Sequence, residues 1–377
     1  MIFNFIKRKE INSFLLISFV IFGNLAITGI LSLADIFYTG VLVIGLFILF
    51  SQDKMLDSRF IYPLIFLSIS YFDYILFGHT RGMASAMRFC FGFVVMTTLW
   101  IYYSKVPSKA ISFLNAFCDF CVLASLFIII QVIFYYVFRI NLKFSFGEYE
   151  RLINSASEYN PLFSSYYRTG GFFREPSFFG AFVFPALEYT YSTKQIKKFI
   201  VILLGILFST STLGYGLVLI WISYYSFKKK ISLGLIFSVG TFILITVLMF
   251  PDLFLRLGEV KESGGSFGGR ILEPFTIIYS ENTLSLLGVD PTIHYDFNGN
   301  ARFFANTFVF LYLYFGVIGL LVFVRFICLR NHLVLTLMTL AVIMSEGLYG
   351  RMEFWIMLLS CSLYSEYSRE FVIYNKS

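Results

Sequence analysis

Residues 110–138 read AISFLNAFCDFCVLASLFIIIQVIFYYVF, an apolar run in which Asp119 is the single charge. A helix needs roughly 20 residues to cross the hydrocarbon core of a bilayer, with a usual range of about 17–25. The run is long enough to do so. It therefore predicts a membrane-spanning helix.

Similar runs recur along the chain, which is 58% hydrophobic and 14% charged with a mean hydropathy of +0.79. These values exclude a water-soluble globule and indicate an all-α polytopic membrane protein, with residues 1–377 as one integral membrane domain. We predict twelve transmembrane spans, with ten or eleven as alternatives because 36–50 and the two runs that flank Gly214 are short. The predicted spans are 13–33, 36–50, 60–78, 87–103, 110–138, 177–192, 198–212, 214–227, 232–250, 306–327, 332–348 and 352–367.

The basic residues predict an orientation. Cytoplasmic loops carry an excess of Lys and Arg, and every second loop is basic when the N-terminus, with Lys7, Arg8 and Lys9, is placed inside. Both termini are therefore predicted to be cytoplasmic. We find no cleavable signal peptide and expect the first span to remain as an anchor.

Lysine and arginine divide unequally on this topology. The cytoplasmic side has twelve lysines and five arginines, whereas the outer side has two lysines and ten arginines. Arginine binds phosphate oxygens in a bidentate manner, so the outer face is predicted to bind anions. Scattered interface anchors would give the same bias. Nucleic-acid binding is not expected, because the chain has no soluble basic domain.

Two polar segments, 139–176 and 251–305, are predicted to form large loops on the outer side, which gives the protein one working face.

Charges within or at the ends of apolar runs usually face the protein interior. We expect this of Asp73, Asp119, Glu188 and Glu346. Glu346, Arg351 and Glu353 are close enough in sequence to pair at one outer turn. The cysteines, Cys90, Cys118, Cys121, Cys328 and Cys361, are interpreted as small core hydrophobes.

The first outer segment ends in RTGGFFREPSFFG, residues 168–180. Arg168 and Arg174 flank a glycine pair, and Pro176 suits the first turn of a helix. The positive end of that helix and the two guanidinium groups together predict an oxyanion site. Tyr166 and Tyr167 precede it; their rings could grip sugars or could belong to an interfacial aromatic belt.

The second outer segment contains a glycine-rich stretch, 262–270, that leads to Arg270. Glycines let a backbone approach a ligand closely, but they also form ordinary flexible loops. His294 is a catalytic candidate, with a solvated loop histidine as the alternative. Arg302 follows as a candidate substrate-binding residue, and Asn306 opens the next span. Earlier in the chain, the small residues of STSTLGYG, 209–216, predict close helix packing at an outer turn.

The order of these motifs resembles the bacterial O-antigen polymerase and ligase superfamily, in particular the Wzy-type repeat-unit polymerases. The likeness covers about residues 165–325 motif by motif. It rests on the span count, the two outer loops and five motifs, which are Gly171–Ser177, Ser209–Thr212, Gly268–Arg270, Asn306–Phe308 and Phe315–Gly319.

The resemblance implies a GT-C-like fold in the bacterial inner membrane with a periplasmic active face. It implies metal-independent, inverting glycosyl transfer without a cofactor, from an undecaprenyl diphosphate-linked oligosaccharide to a hydroxyl of the next lipid-linked repeat unit. Arg168 or Arg174, together with Arg270, would hold the diphosphate, and Glu175 or His294 would be the general base. Membrane lipid is an implied partner, and a separate chain-length regulator protein would be compatible with this role.

Two other functions remain open at this point. An O-antigen ligase would use the same donor with lipid A-core as the acceptor. The nearest histidine to Asn306 is His294, and Ala305 precedes Asn306, which departs from the ligase pattern. A lipid-linked oligosaccharide flippase would need charges along the full depth of a central cavity, whereas the arginines here concentrate on one face.

Overall fold

A computed structural model describes residues 11–24, 32–51, 57–77, 83–140, 142, 169–228, 234, 239–241, 276, 286–288, 305–328, 332–348 and 350–374. These residues are almost entirely helical, and none of them forms a β-strand. The α-helices are α1 Ile11–Ser18, α2 Leu33–Phe50, α3 Ile61–Phe77, α4 Met83–Ser104, α5 Pro107–Phe138, α6 Pro176–Ser192, α7 Ile196–Phe208, α8 Thr212–Phe227, α9 Thr307–Ile327, α10 Leu333–Ser345 and α11 Met352–Tyr374. Short 3₁₀ helices cover Phe19–Asn24 and Ser58–Phe60.

The helices agree with the predicted spans to the extent that the structure describes them. In the part of the chain that the structure describes, four helices are long and apolar enough to cross a membrane, at Leu33–Phe50, Ser85–Ser104, Pro107–Phe138 and Thr307–Ile327. Shorter apolar helices account for several other predicted runs, and 232–250 lies mostly outside the described residues. An all-helical, membrane-compatible protein is thus confirmed, while the count of twelve spans and their orientation stay predictions.

Small residues bring the helices together. A Cβ on Gly92 of α4 would lie 2.0 Å from Trp355 Nε1 of α11, so only glycine leaves room for this indole. Where α6 crosses α8, a Cβ on Gly180 would lie 3.2 Å from Gly214 Cα. The predicted packing role of the 209–216 segment is therefore confirmed at Gly214.

Aromatic rings fill the space between α3, α4, α9 and α11. Trp355 stacks on Phe93 with ring centroids 5.2 Å apart and meets the edge of Phe89 at 5.0 Å. Phe66 joins this cluster through Phe315, at 4.8 Å. Such pairs add about 0.5–1.5 kcal/mol each beyond the area that they bury. The cluster fixes α4 against α11, and charged residues lie near the N-terminal ends of both helices, Arg88 in α4 and Glu353 in α11.

Helix α9 is interrupted at Gly316, whose φ of 63° and ψ of −164° are not helical. Residues 286–288, from the second predicted outer segment, pack beside this break, and Leu286 O accepts a hydrogen bond of 3.2 Å from Ile318 N. A Cβ on Gly316 would lie 2.4 Å from the same oxygen. Part of the 251–305 segment therefore lies beside the middle of α9.

The interior acids that can be tested behave as predicted. Glu188 is buried and accepts hydrogen bonds from Trp221 Nε1 at 2.9 Å and from Tyr225 Oη at 2.7 Å. Asp119 pairs with Lys198 at 2.6 Å. The side chain of Asp73 lies outside the described set.

The cysteines agree with the prediction except at one position. Four are buried, namely Cys90, Cys118, Cys121 and Cys361. Cys328 is exposed, so its assignment to the core is wrong. It follows the last residue of α9, where the chain leaves the packed helices.

Candidate functional site

The structure describes only part of the predicted site. Arg174 and Glu175 lie within the described residues. The remaining candidates lie outside them, and these are Tyr166, Tyr167, Arg168, Arg270, His294 and Arg302. The proximity of an early and a late arginine therefore stays a prediction.

The approach to Arg174 is anchored on α5 by Gln131. Its Nε2 donates to Leu142 O at 2.7 Å, and its Oε1 accepts a 2.7 Å hydrogen bond from Thr169 Oγ1. Thr169 Oγ1 also accepts from Gly171 N at 3.1 Å. Gly171 has a φ of +63°, a left-handed conformation that favours glycine. One buried glutamine thus ties together the chain on both sides of residues 143–168.

The turn that follows presents Arg174 outwards. Phe173 is buried against Phe182, with ring centroids 5.1 Å apart, whereas Arg174 is exposed. Glu175 is the N-cap of α6 and Pro176 is its first residue, which confirms the predicted helix start. An exposed guanidinium group therefore lies beside the positive end of a helix.

Arg351 lies against the same helix start. Its Cζ is 4.7 Å from the centroid of the Phe178 ring, in the first turn of α6. Arg351 itself belongs to the turn between α10 and α11. The beginning of α6 and this turn are therefore neighbours at one end of the bundle, which we call the Arg351 end.

Several charges act on Arg351. Burial lowers the pKa of its guanidinium group, and Glu353 raises it. Arg174 and Arg88 also lower this pKa, and Glu175 raises it. An arginine side chain keeps its proton in proteins, so Arg351 stays cationic in spite of this burial. Three arginines and two carboxylates thus interact at this end.

A cavity of about 280 Å³ opens beside Arg351. Its walls come from the residues around α1, α2, α4 and α11. They are Gly23, Ser32, Ala34, Asp35, Ser85, Arg88, Gly347, Gly350, Arg351, Met352 and Glu353. The cavity therefore joins helices from both ends of the sequence, and the charges among its walls are two acids and two arginines.

One wall of the cavity is held by Asp35 and Arg88. Asp35 forms a capping box with Ser32 at the start of α2, in which each side chain accepts from the other residue's backbone N–H. The same carboxylate oxygen that serves Ser32 accepts a 2.7 Å hydrogen bond from Arg88 Nη2. Arg88 is thereby oriented at the mouth of the cavity.

Glu353 forms the opposite wall in the first turn of α11. Its side chain is 4% exposed and its Oε1 lies 3.8 Å from Arg351 Nη1, an ion pair longer than a hydrogen bond. A Cβ added to Gly23 would lie 3.3 Å from both carboxylate oxygens. Within the described part of the chain, Glu353 Oε2 is buried without a hydrogen-bond partner.

This arrangement has two chemically different zones. Arg174 is exposed beside the helix start, where an anion can approach it from solvent. The cavity holds Asp35 and Glu353 against Arg88 and Arg351, so its formal charges cancel. Among the residues that the structure describes, no three His, Cys, Asp or Glu side chains are grouped as metal ligands.

Comparison with protein-family models, with curated proteins and with solved structures found no match.

Sequence reasoning identified part of this site and missed the rest. The predicted pairing at the 346–353 turn is confirmed for Arg351 and Glu353, while Glu346 contributes a backbone oxygen to Thr307 N at 2.9 Å. Asp35, Arg88 and Gln131 were not predicted as site residues. These residues have one feature in common that could have identified them. Each is polar and lies near the end of an apolar helix that is predicted to face the outer side.

Proposed function

We propose that this chain is an inner-membrane glycosyltransferase of the polysaccharide polymerase type. It would transfer a growing glycan from undecaprenyl diphosphate to a hydroxyl of the next lipid-linked repeat unit, at the periplasmic face. In this proposal both termini are cytoplasmic, and the Arg351 end faces the periplasm. The basic residues of every second loop, beginning with the N-terminus, support this orientation.

The observation that carries the proposal is the proximity of Arg174 and Arg351 at the start of α6. Arg174 is exposed, and Arg351 is held over Phe178 with its Cζ 4.7 Å from the ring centroid. Glu353 offsets the charge of Arg351, whereas the exposed Arg174 at the positive end of α6 can attract an anionic ligand from solvent. A diphosphate is the anion expected in a protein whose other surfaces are largely apolar.

The chemistry requires stabilisation of the leaving group. The acceptor oxygen attacks the anomeric carbon, and the bond from that carbon to the phosphate oxygen breaks with its electron pair on undecaprenyl diphosphate. Guanidinium groups placed around this oxygen would offset the developing charge, and removal of one such donor typically costs about 10²–10³ in rate. Arg168 or Arg174, together with Arg270, would fill this role.

A deletion experiment tests the function. In a strain that lacks the gene, surface polysaccharide is separated on a gel beside that of the parent strain, and the lipid-linked pool is analysed in parallel. We expect core capped by a single repeat unit. Uncapped core with long polymer still on undecaprenyl diphosphate would show a ligase instead.

A second measurement separates an enzyme from a flippase. Purified protein is reconstituted with lipid-linked repeat units, and free undecaprenyl diphosphate is quantified. A polymerase releases one undecaprenyl diphosphate for each glycosidic bond formed, whereas a flippase releases none. Absence of release together with transbilayer movement of the substrate would contradict the proposal.

A further inference from the structure

The cavity beside Arg351 contains a buried carboxylate whose surroundings suit a hydroxyl ligand. Glu353 is 4% exposed and lines the cavity. Its Oε2 has no hydrogen-bond partner among the described residues. A buried polar atom left unpaired costs about 1–3 kcal/mol, so a ligand that donates a hydrogen bond to it would recover this loss.

We propose that this cavity binds the sugar that carries the acceptor hydroxyl, and that Glu353 Oε2 receives the hydroxyl proton. This inference rests on the proposed polymerase function and names a subsite and a base within it. Glu353 becomes the catalytic base in place of the two residues considered from sequence, Glu175 and His294.

The charge of the cavity favours a sugar over a diphosphate. Asp35 and Glu353 offset Arg88 and Arg351, and Asp35 already accepts a 2.7 Å hydrogen bond from Arg88. A diphosphate would meet two carboxylates here and be repelled by them. A neutral group rich in hydroxyls can instead donate to carboxylate oxygens and accept from guanidinium groups. Arg88 Nε, also buried without a partner in the described residues, is available as such a donor.

The ion pair between Arg351 and Glu353 is too long for a hydrogen bond, so it does not prevent the Glu353 carboxylate from accepting a proton. Arg351 Nη1 is 3.8 Å from Oε1, which orients the carboxylate without a short hydrogen bond. Oε2 lies near Gly23, where the missing side chain leaves space. A side chain at that position would crowd both oxygens, since its Cβ would lie 3.3 Å from each. Glycine at position 23 thus avoids crowding of the carboxylate.

The proposed step is balanced in atoms and electrons. The acceptor O–H bond breaks and its proton passes to Glu353 Oε2. The acceptor oxygen forms a bond to the anomeric carbon, and the carbon–oxygen bond to the phosphate breaks. The electron pair leaves on undecaprenyl diphosphate, and Glu353 later releases its proton to water. A positioned base typically contributes about 10²–10⁴ in rate.

The test uses full-length protein reconstituted in lipid with the lipid-linked repeat unit that the deletion strain accumulates. Glu353→Gln keeps the size of the side chain and removes the base. Glu353→Asp is the conservative variant, and Glu366→Gln is a matched control near the other end of the same helix. Rate is measured against repeat-unit concentration, and undecaprenyl diphosphate binding is measured separately.

We expect Glu353→Gln to lower kcat about 10²–10⁴-fold, with diphosphate binding unchanged. Glu353→Asp should recover part of this rate, and Glu366→Gln should match the unaltered protein. A rate for Glu353→Gln within threefold of the unaltered protein would overturn the inference while leaving the polymerase function intact. Failure of the unaltered protein to polymerise would overturn both.

A second pair of variants tests the cavity without changing Glu353, in case the Glu353 variants do not fold. Gly23→Ala keeps Glu353 but crowds its oxygens, whereas Gly40→Ala introduces a Cβ with no described heavy atom within 4 Å. We expect Gly23→Ala to raise the KM for the repeat unit at least tenfold and Gly40→Ala to leave it unchanged. Equal KM values for both variants at equal protein levels would refute the sugar-binding cavity.

Discussion

The Asp35 carboxylate accepts a hydrogen bond of 2.7 Å from Arg88 Nη2 and so ties the first turn of α2 to α4. Only 8% of the Asp35 side chain is exposed, against 37% for Arg88. The pair thus joins a buried carboxylate to a partly exposed guanidinium group, both in the wall of the cavity. Its acid also caps α2 through Ser32, so one carboxylate orders both a helix start and a guanidinium group.

Asp35→Ala should therefore destabilise the protein. A hydrogen bond to a charged group contributes about 1.5–3 kcal/mol, and loss of the cap adds to this. Asp57→Ala is the comparison, because Asp57 and Arg59 form a more evenly exposed pair at 3.1 Å. Thermal unfolding in detergent should show a clearly larger drop in Tm for Asp35→Ala. Equal decreases in Tm would mean that the Asp35–Arg88 pair stabilises the protein no more than the Asp57–Arg59 pair.

Arginine should not be replaceable by lysine where a diphosphate is bound. Arg174→Lys and Arg270→Lys keep the positive charge but remove the planar fork that binds two oxygens at once. We expect each to reduce polymer formation about 10²-fold, measured in membranes with matched protein levels. Arg325→Lys, at an exposed position in the last turn of α9, is the control. Normal polymer from Arg270→Lys would rule out bidentate recognition at that residue.

Gly92→Ala should disrupt the packing of α4 on α11. The added Cβ would lie 2.0 Å from Trp355 Nε1, and overpacking of this kind costs about 1–3 kcal/mol or more. Gly216→Ala in α8 is the matched change, since no described heavy atom lies within 4 Å of the new Cβ. Unfolding of the purified variants should show that Gly92→Ala is less stable than Gly216→Ala. A Gly92→Ala protein as stable as Gly216→Ala would show that Trp355 can move aside.

Glu188 is predicted to stabilise the fold without taking part in the chemistry. Glu188→Ala leaves two buried donors, Trp221 Nε1 and Tyr225 Oη, without their acceptor, at a cost of about 1–3 kcal/mol for each. Glu188→Gln retains one acceptor oxygen and should lose less. Both variants should keep the specific activity of the protein that remains folded. A fall in kcat at full folding would place Glu188 in the mechanism.

Helix starts were predictable because their signals are local. Pro176 follows an N-cap at Glu175, and the Asn306 side chain accepts a 2.8 Å hydrogen bond from Val309 N, as a capping asparagine does. The bounds of the apolar runs also agree well with those of the described helices. An apolar composition and a sufficient length are both properties of one continuous stretch of sequence, so both can be predicted from it.

The cavity was not predictable, because its residues come from distant parts of the sequence. Asp35 and Arg88 are separated by 53 positions, and the contact between Gly23 and Glu353 joins the two ends of the chain. No local pattern specifies which helices become neighbours. Similarly, the break at Gly316 depends on the carbonyl of Leu286, which approaches from a segment that composition alone assigns to a loop.

Gln131 has a consequence for how the protein can diversify. Its amide contacts Leu142 O and Thr169 Oγ1 at 2.7 Å each, so a single side chain fixes the distance between the two ends of the segment that joins them. The entropy of closing a loop grows only with the logarithm of its length, so doubling the length costs about 0.6 kcal/mol. We therefore expect insertions between Leu142 and Thr169 to cost the fold little free energy.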